Sequence, residues 1–157
     1  MIRKAPSFMD VALAEARAAG QRGEVPVGAV LVGPDGHVLA ADGNRTEELH
    51  DPAAHAELLV IRAAARKLRT PRLPECDLYV SLEPCAMCAA AISFARLRRV
   101  YFGAEDPKMG ALVHGPRFFD QPTCHHRPEV YGGIGERQAA ALLKTFFQER
   151  RGDGAVS

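Results

Sequence analysis

The spacing of apolar residues switches between helical and extended periods along the chain and divides it into segments. Small apolar residues recur at three- and four-residue intervals from Ser7 to Ala19. With Ser7 as N-cap, Asp10 in the first turn and Gly20 as the stop, they predict a first helix. Then the period changes. Val27 to Val32 (VGAVLV) and His37 to Ala41 (HVLAA) flank the turn-rich Gly33-Pro34-Asp35-Gly36, which predicts an antiparallel hairpin with a first strand buried on both faces. Asp51-Pro52, an acidic cap followed by proline at the first helical position, opens a second helix whose Ala-rich pattern runs from Ala53 to about Leu68. Asp77 to Leu82 (DLYVSL) reads as a strand, Pro84 to about Arg98 as a third helix, and Arg99 to Gly103 (RVYFG) as a further strand. From Ala104 to Gly135, Gly, Pro and His are frequent and no period is visible. Glu136 to Arg151 is a closing amphipathic helix with Ala140, Leu143 and Phe147 at helical spacing, followed by a polar tail frayed from about Gly152.

This order predicts an α/β architecture in three layers, a mixed sheet with helices on both faces. Helix-connected strands are expected parallel and the first hairpin antiparallel. Right-handed crossovers then bring the starts of the second and third helices to one edge of the sheet. The 157 residues suffice for a single domain over 1–157, and 47% hydrophobic with 25% charged residues excludes a disordered or fibrous chain. Met1-Ile2-Arg3-Lys4-Ala5-Pro6 leads into no continuous apolar run, so neither a signal peptide nor a membrane span is expected. Cys85 and Cys88 are close while Cys76 and Cys124 stand apart, a pattern suited to metal ligation in a reduced compartment, with cytoplasm the expectation. The net charge of +1 exerts no global pull on nucleic acid. The basic groups at 62–72, 96–99 and 150–151 read as solvated helix faces or ends, and any nucleic-acid binding must be local.

Two short segments change the picture. His55-Ala56-Glu57 and Pro84-Cys85-Ala86-Met87-Cys88 together offer three zinc-type ligands and one further carboxylate. In mid-helix His55 and Glu57 point about 200° apart, so they share a pocket only if it lies off the helix's start. Cys85 and Cys88, three positions apart, place both sulfurs on one helix face, where free first-turn amides stabilise thiolate charge. A zinc ion on His55, Cys85 and Cys88 leaves a fourth position to water, with Glu57 as the candidate base. Attack on an amidine-like ring carbon, with proton delivery to a ring nitrogen and the exocyclic amine, releases ammonia. A structural site built from Cys85, Cys88, Cys124 and His125 or His126 leaves His55 and Glu57 unexplained, and a redox use of Cys85 and Cys88 gives His55 no role.

These segments resemble the signature of the zinc-dependent nucleoside and nucleobase deaminases. Around them, Glu24 to Val30 (EVPVGAV), Gly43-Asn44-Arg45, Asp51-Pro52, Leu78 to Glu83 (LYVSLE) and Arg99 to Ala104 (RVYFGA) are similar to the bacterial tRNA adenosine deaminases. The resemblance covers about residues 8–110 and resumes at Ala139 to Arg151. It implies a cytidine-deaminase-like fold, one Zn2+ per chain on His55, Cys85 and Cys88, Glu57 as proton shuttle, and a homodimer. It further implies Asn44 as a base contact, Asp106 in a substrate-side loop (Asp106-Pro107-Lys108-Met109-Gly110), and Phe147 and Arg150 near RNA. The implied activity is hydrolytic deamination of adenosine to inosine at the wobble position of a tRNA anticodon loop, where an unpaired base is within reach of the chemistry. Deamination of a free base or nucleoside (guanine, cytosine or cytidine) uses the same catalytic kit, and a non-catalytic zinc module binding RNA or a partner is the reading from another class. In purely structural terms Asn44 caps a turn, Asp106 forms one before Pro107, Phe147 packs, Cys76 is a small buried hydrophobe, and His125 and His126 belong to a loop.

Overall fold

The structure, a computed structural model, describes residues 7–154; the segment Met1 to Pro6 read against a signal peptide, and residues 155–157 of the expected frayed tail, lie outside the described residues. Its elements are α1 (Phe8–Gln21), β1 (Gly28–Val32), β2 (Val38–Gly43), α2 (Ala56–Leu68), β3 (Asp77–Leu82), α3 (Ala86–Phe94), β4 (Arg99–Ala104), a single 3-10 turn (Phe118–Asp120), β5 (Glu129–Tyr131) and α4 (Glu136–Gly154). One five-stranded sheet has the order β2-β1-β3-β4-β5. β1 is antiparallel to both neighbours, whereas β3, β4 and β5 run parallel. Both helix-joined pairs, β2 with β3 and β3 with β4, therefore run in the same direction, as expected.

The two-residue period of a strand sends alternate side chains into opposite layers. Ala29, Leu31, Leu78, Val80, Val100 and Phe102 pack with Val60, Ile61 and Ala64 of α2 and with Ala89 and Ile92 of α3. Val30, Val32, Tyr79, Tyr101 and Ala104 face Met9, Ala12 and Leu13 of α1 and Ala139 and Leu142 of α4. Each fully buried Leu in these layers contributes about 1.5–3 kcal/mol. β1 is buried along its whole length, as its unbroken apolar run predicts. α1 lies so close over it that a Cβ on Gly28 would stand 2.0 Å from the Ala12 carbonyl oxygen.

Boundaries moved where tertiary contacts outweigh local signals. α1 carries the Ser7–Asp10 capping box but passes through Gly20 to Gln21. α3 ends at Phe94 rather than near Arg98, because Arg96 turns left-handed (φ 62°) and Leu97 drops into the core while the Arg98 N–H donates to the Cys76 carbonyl at 2.9 Å. The segment without a visible period contains β5, which pairs with β4 and places Tyr131 on Tyr101 with ring centroids 5.1 Å apart. α4 continues to Gly154, beyond the expected fraying point.

Candidate active site

α2 starts at Ala56, not at Pro52. Asp51 instead closes a turn, its carboxylate accepting the Ala53 N–H at 2.9 Å and its carbonyl the Ala54 N–H at 3.1 Å. His55 is therefore the N-cap, in extended conformation (φ −75°, ψ 151°), and Glu57 the second helical residue. A cap lies outside the helical period, so both side chains reach the space off the helix's start. His55 makes no capping bond of its own. Asn44 Oδ1 takes that role, accepting the Ala56 N–H at 2.8 Å, which frees the imidazole for another use. The same bond fixes Asn44's orientation and leaves its amide nitrogen to the cavity that the residue lines.

α3 repeats the arrangement, with Cys85 as N-cap (φ −75°, ψ 175°) and Cys88 in its first turn. His55 Nδ1 lies 3.6 Å from Cys85 Sγ and 3.5 Å from Cys88 Sγ. A tetrahedral zinc with Zn–S near 2.3 Å and Zn–N near 2.0 Å requires nitrogen and sulfur about 3.5 Å apart, so the three donors fit that ion. Among the described residues no metal-ligating group includes Cys124, His125 or His126. Cys124 Sγ donates to the His126 carbonyl, and His126 Nε2 to the Leu97 carbonyl at 2.6 Å, so the alternative structural site falls away.

The two sulfurs share charge unequally. Hydrogen bonding from Cys88, then from His55, holds the Cys85 thiol down to about 4 against the opposing effect of burial. Cys88 is pushed up by its bond with Cys85 and by burial. The hydrogen bond between His55 and Cys85 raises the imidazole above its usual value. Burial pushes Glu57 up to about 6, close to the range in which a carboxyl group can both take and return a proton.

His55, Glu57 and Cys85 open onto a cavity of about 960 Å³, and Asn44, Asp106, Phe147 and Arg150 line the same cavity. Cys88 sits buried beneath it. Asp106 is both turn former and wall: its carboxylate accepts the Lys108 and Met109 N–H groups at 3.2 and 3.1 Å. Phe147 remains 47% exposed and meets Phe146 edge to face. Arg150 is held in place, its guanidinium 4.6 Å over the Phe146 ring and donating to the Gly23 carbonyl. Val25, Val27 and Leu82 add apolar wall, and Lys108, Lys144 and Arg151 bring further cations.

Sequence reasoning assigned no role to two buried carboxylates, Glu24 and Glu83, each of which accepts backbone N–H groups from a cavity-lining loop. Burial pushes both acids up, but those hydrogen bonds outweigh it and hold both below the usual carboxylate range. A charged residue closing an apolar strand, as Glu83 does after LYVSL, was the available signal.

An imidazole and two cysteine sulfurs spaced for one ion at paired helix N-termini, beside a buried carboxylate, define a zinc-dependent hydrolytic deaminase class of site. The family model for the cytidine and deoxycytidylate deaminase zinc-binding region matches residues 2–104, and the chain belongs to this family. It is 62% identical over 146 residues to a tRNA-specific adenosine deaminase of Agrobacterium fabrum, covering 93% of this chain and 95% of that relative. It is 45% identical over 145 residues to a tRNA-specific adenosine deaminase of Aquifex aeolicus, covering 92% and 94%. Its fold matches, with a TM-score of 0.85 and 63% identity over 87% of this chain and 98% of the other, a structure from studies of A-to-I editing by tRNA:A34 deaminases at the wobble position of transfer RNA. A guanine deaminase of Nitrosomonas europaea follows the same fold with a TM-score of 0.78 at 26% identity, over 93% and 86%.

Proposed function

We propose that the protein deaminates adenosine to inosine at the wobble position of a tRNA anticodon loop, using one zinc ion per chain held by His55, Cys85 and Cys88. The observation that carries this reading is the pair of 3.5 and 3.6 Å nitrogen–sulfur distances in a cavity whose lining also brings Lys108, Lys144, Arg150 and Arg151, beside the acids Glu105 and Asp106. The similarity to tRNA-specific adenosine deaminases supports the choice of RNA.

Zinc bound there supplies an acidified water as nucleophile. Glu57 would take one proton from the attacking water and deliver it to the ring nitrogen, then take the second from the hydroxyl left on the ring carbon and deliver it to the amine, so that the C–N bond breaks, ammonia leaves and a carbonyl remains. Water is consumed and ammonia released. Asn44 offers its amide nitrogen to a ring acceptor, and Val25, Val27 and Leu82 form the dry wall against which the planar base lies. Phe147 presents a half-exposed ring on which an unpaired base can stack, while Lys108, Lys144 and Arg151 suit phosphates. Arg150, fastened to Phe146 and Gly23, contributes fixed positive charge.

A second copy of the chain covers the outer face of α3. That helix (AMCAAAISF) carries no charge, and Met87, Ala90, Ala91 and Phe94 form an open stripe with Phe94 76% exposed. A helix apolar all round belongs in an interior. Phe94→Lys should yield a zinc-loaded monomer in sedimentation velocity; an unchanged dimer would place the interface elsewhere. The substrate puts the protein in the cytoplasm, and no described helix is long and apolar enough to cross a membrane.

The deciding experiment offers zinc-loaded protein whole tRNA, an anticodon stem-loop and free nucleosides and bases in parallel. Inosine and ammonia from the RNAs are expected. A rate on free guanine, cytosine, cytidine or adenosine comparable with that on tRNA reverses the choice of substrate, and no ammonia from any of them leaves a non-catalytic zinc module.

A further inference from the structure

Glu83 is a buried carboxylate with no part in the steps above. It follows β3 directly, precedes Pro84-Cys85, and is 2% exposed. Its Oε1 accepts the Asp106 N–H at 3.0 Å and His114 Nδ1 at 2.8 Å. Its Oε2 accepts the N–H groups of Leu112, Val113 and His114 at 3.1, 3.0 and 3.1 Å. All five donors lie within 106–114, the segment that begins in the cavity wall and folds back behind it. The backbone adds a second fastening: the Ala111 N–H donates to the Pro84 carbonyl at 2.9 Å, and Cys85 forms a bridge with Gly110. The contact is tight enough that a Cβ on Gly110 would lie 2.4 Å from the Glu83 carboxylate.

A carboxylate closed to water and saturated by five donors is in no position to act as a base or to bind an ion, although Glu83, Glu105 and His114 cluster closely. We propose that Glu83 is a positioning residue, registering the substrate-side loop 106–110 against the ligand turn at Cys85, with His114 as its locked partner. This rests on the deaminase reading of the cavity and deepens it. One end of the construction is a ligand sulfur and the other is the wall that meets substrate. In the neutral ring, the Nδ1–H donated to Glu83 sets the tautomer of His114 and leaves Nε2 facing Glu105 at 3.7 Å.

Glu83→Gln exchanges one acceptor oxygen for a donor NH2 without changing shape. Placed at Oε2, the NH2 meets three N–H groups; placed at Oε1 it meets two donors, one of which, His114, can switch tautomer and accept. The second orientation therefore wins, and the Asp106 N–H loses its acceptor. Damage falls on the loop and not on the zinc ligands.

The test uses zinc-loaded wild type and Glu83→Gln with an anticodon stem-loop. The variant should keep its zinc and lose kcat/KM on the order of tenfold, mainly through KM, because a displaced wall weakens ground and transition states alike. Nitrogen-15 spectra should show the His114 proton moving from Nδ1 to Nε2. Wild-type kcat/KM in the zinc-loaded variant, or an unchanged tautomer, overturns the proposal. Should Glu83→Gln fail to fold, Gly110→Ala strains the same contact from the loop side, and an unchanged KM there overturns it equally. Wild type inactive on the stem-loop refutes the substrate assignment alone; the same comparison then runs on whichever base wild type deaminates, and the His114 spectra decide the positioning role independently.

Discussion

Glu57→Gln should separate stability from turnover. Glu57 is 3% exposed, and burial raises its acid from an ordinary 4.5 to about 6. A raised carboxyl value means that the folded chain disfavours the ionised form, here by about 2 kcal/mol. That penalty is felt in full above about pH 6 and disappears below about pH 4.5. Gln fills the same volume with no charge to desolvate. In zinc-free protein at neutral pH the variant should therefore exceed wild type in stability by up to about 2 kcal/mol, an advantage that fades as the pH falls. A dication beside the carboxylate favours its ionised form, so the difference shrinks once zinc is loaded. Turnover moves the other way, because removing a positioned proton carrier costs about a hundred- to ten-thousand-fold. Zinc content should not change, since Glu57 lies outside the ligand set. Urea titrations of chelated protein across pH give the first quantity, and ammonia release by zinc-loaded protein gives the second. A variant less stable than wild type at neutral pH would refute the burial argument, and wild-type turnover would remove Glu57 from the mechanism.

Cys85→Ala should lose zinc and thermal stability together, since ligation energy is folding energy at such a site; metal analysis showing full occupancy would contradict the ligand set. Asn44→Ala orphans the Ala56 N–H, which should cost about 1 kcal/mol and also raise KM through the lost amide donor. Wild-type kinetics in that variant would confine Asn44 to capping. Glu24 behaves oppositely to Glu57: burial pushes its acid up, but the Glu48 and Glu47 N–H groups and the Thr46 hydroxyl outweigh this and hold it below 4.5. Its ionised form therefore stabilises the fold above about pH 4.5, and that contribution is lost as the pH falls through the lower folded value. Glu24→Gln should be the less stable chain at neutral pH, with the gap narrowing in acid; a gap that persists unchanged there would refute the assignment.

Features written in local chemistry were legible from the chain alone. The Ser7 N-cap with Asp10 in the first turn, the hairpin around Gly33 to Gly36, and the bounds of β3 at Asp77 and Leu82 depend on neighbours a few residues away. The zinc-type donors were legible too, because few residue types bind that ion and Cys85 and Cys88 are spaced to share it. Tertiary structure decided the rest. Asp51-Pro52 satisfies a turn as readily as a helix cap, and α2 begins at Ala56 only because Asn44, 12 residues earlier, arrives from the end of β2 to take its N–H. β5 is a strand by virtue of β4 beside it, three residues being too few to declare a period. Glu83 finds its donors 23 to 31 residues away, and no local pattern announces them. Spacing within a few positions encodes which helices and strands are possible. Where they begin, and which buried charges are satisfied, depends on hydrogen bonds and packing between segments that only the assembled sheet brings together.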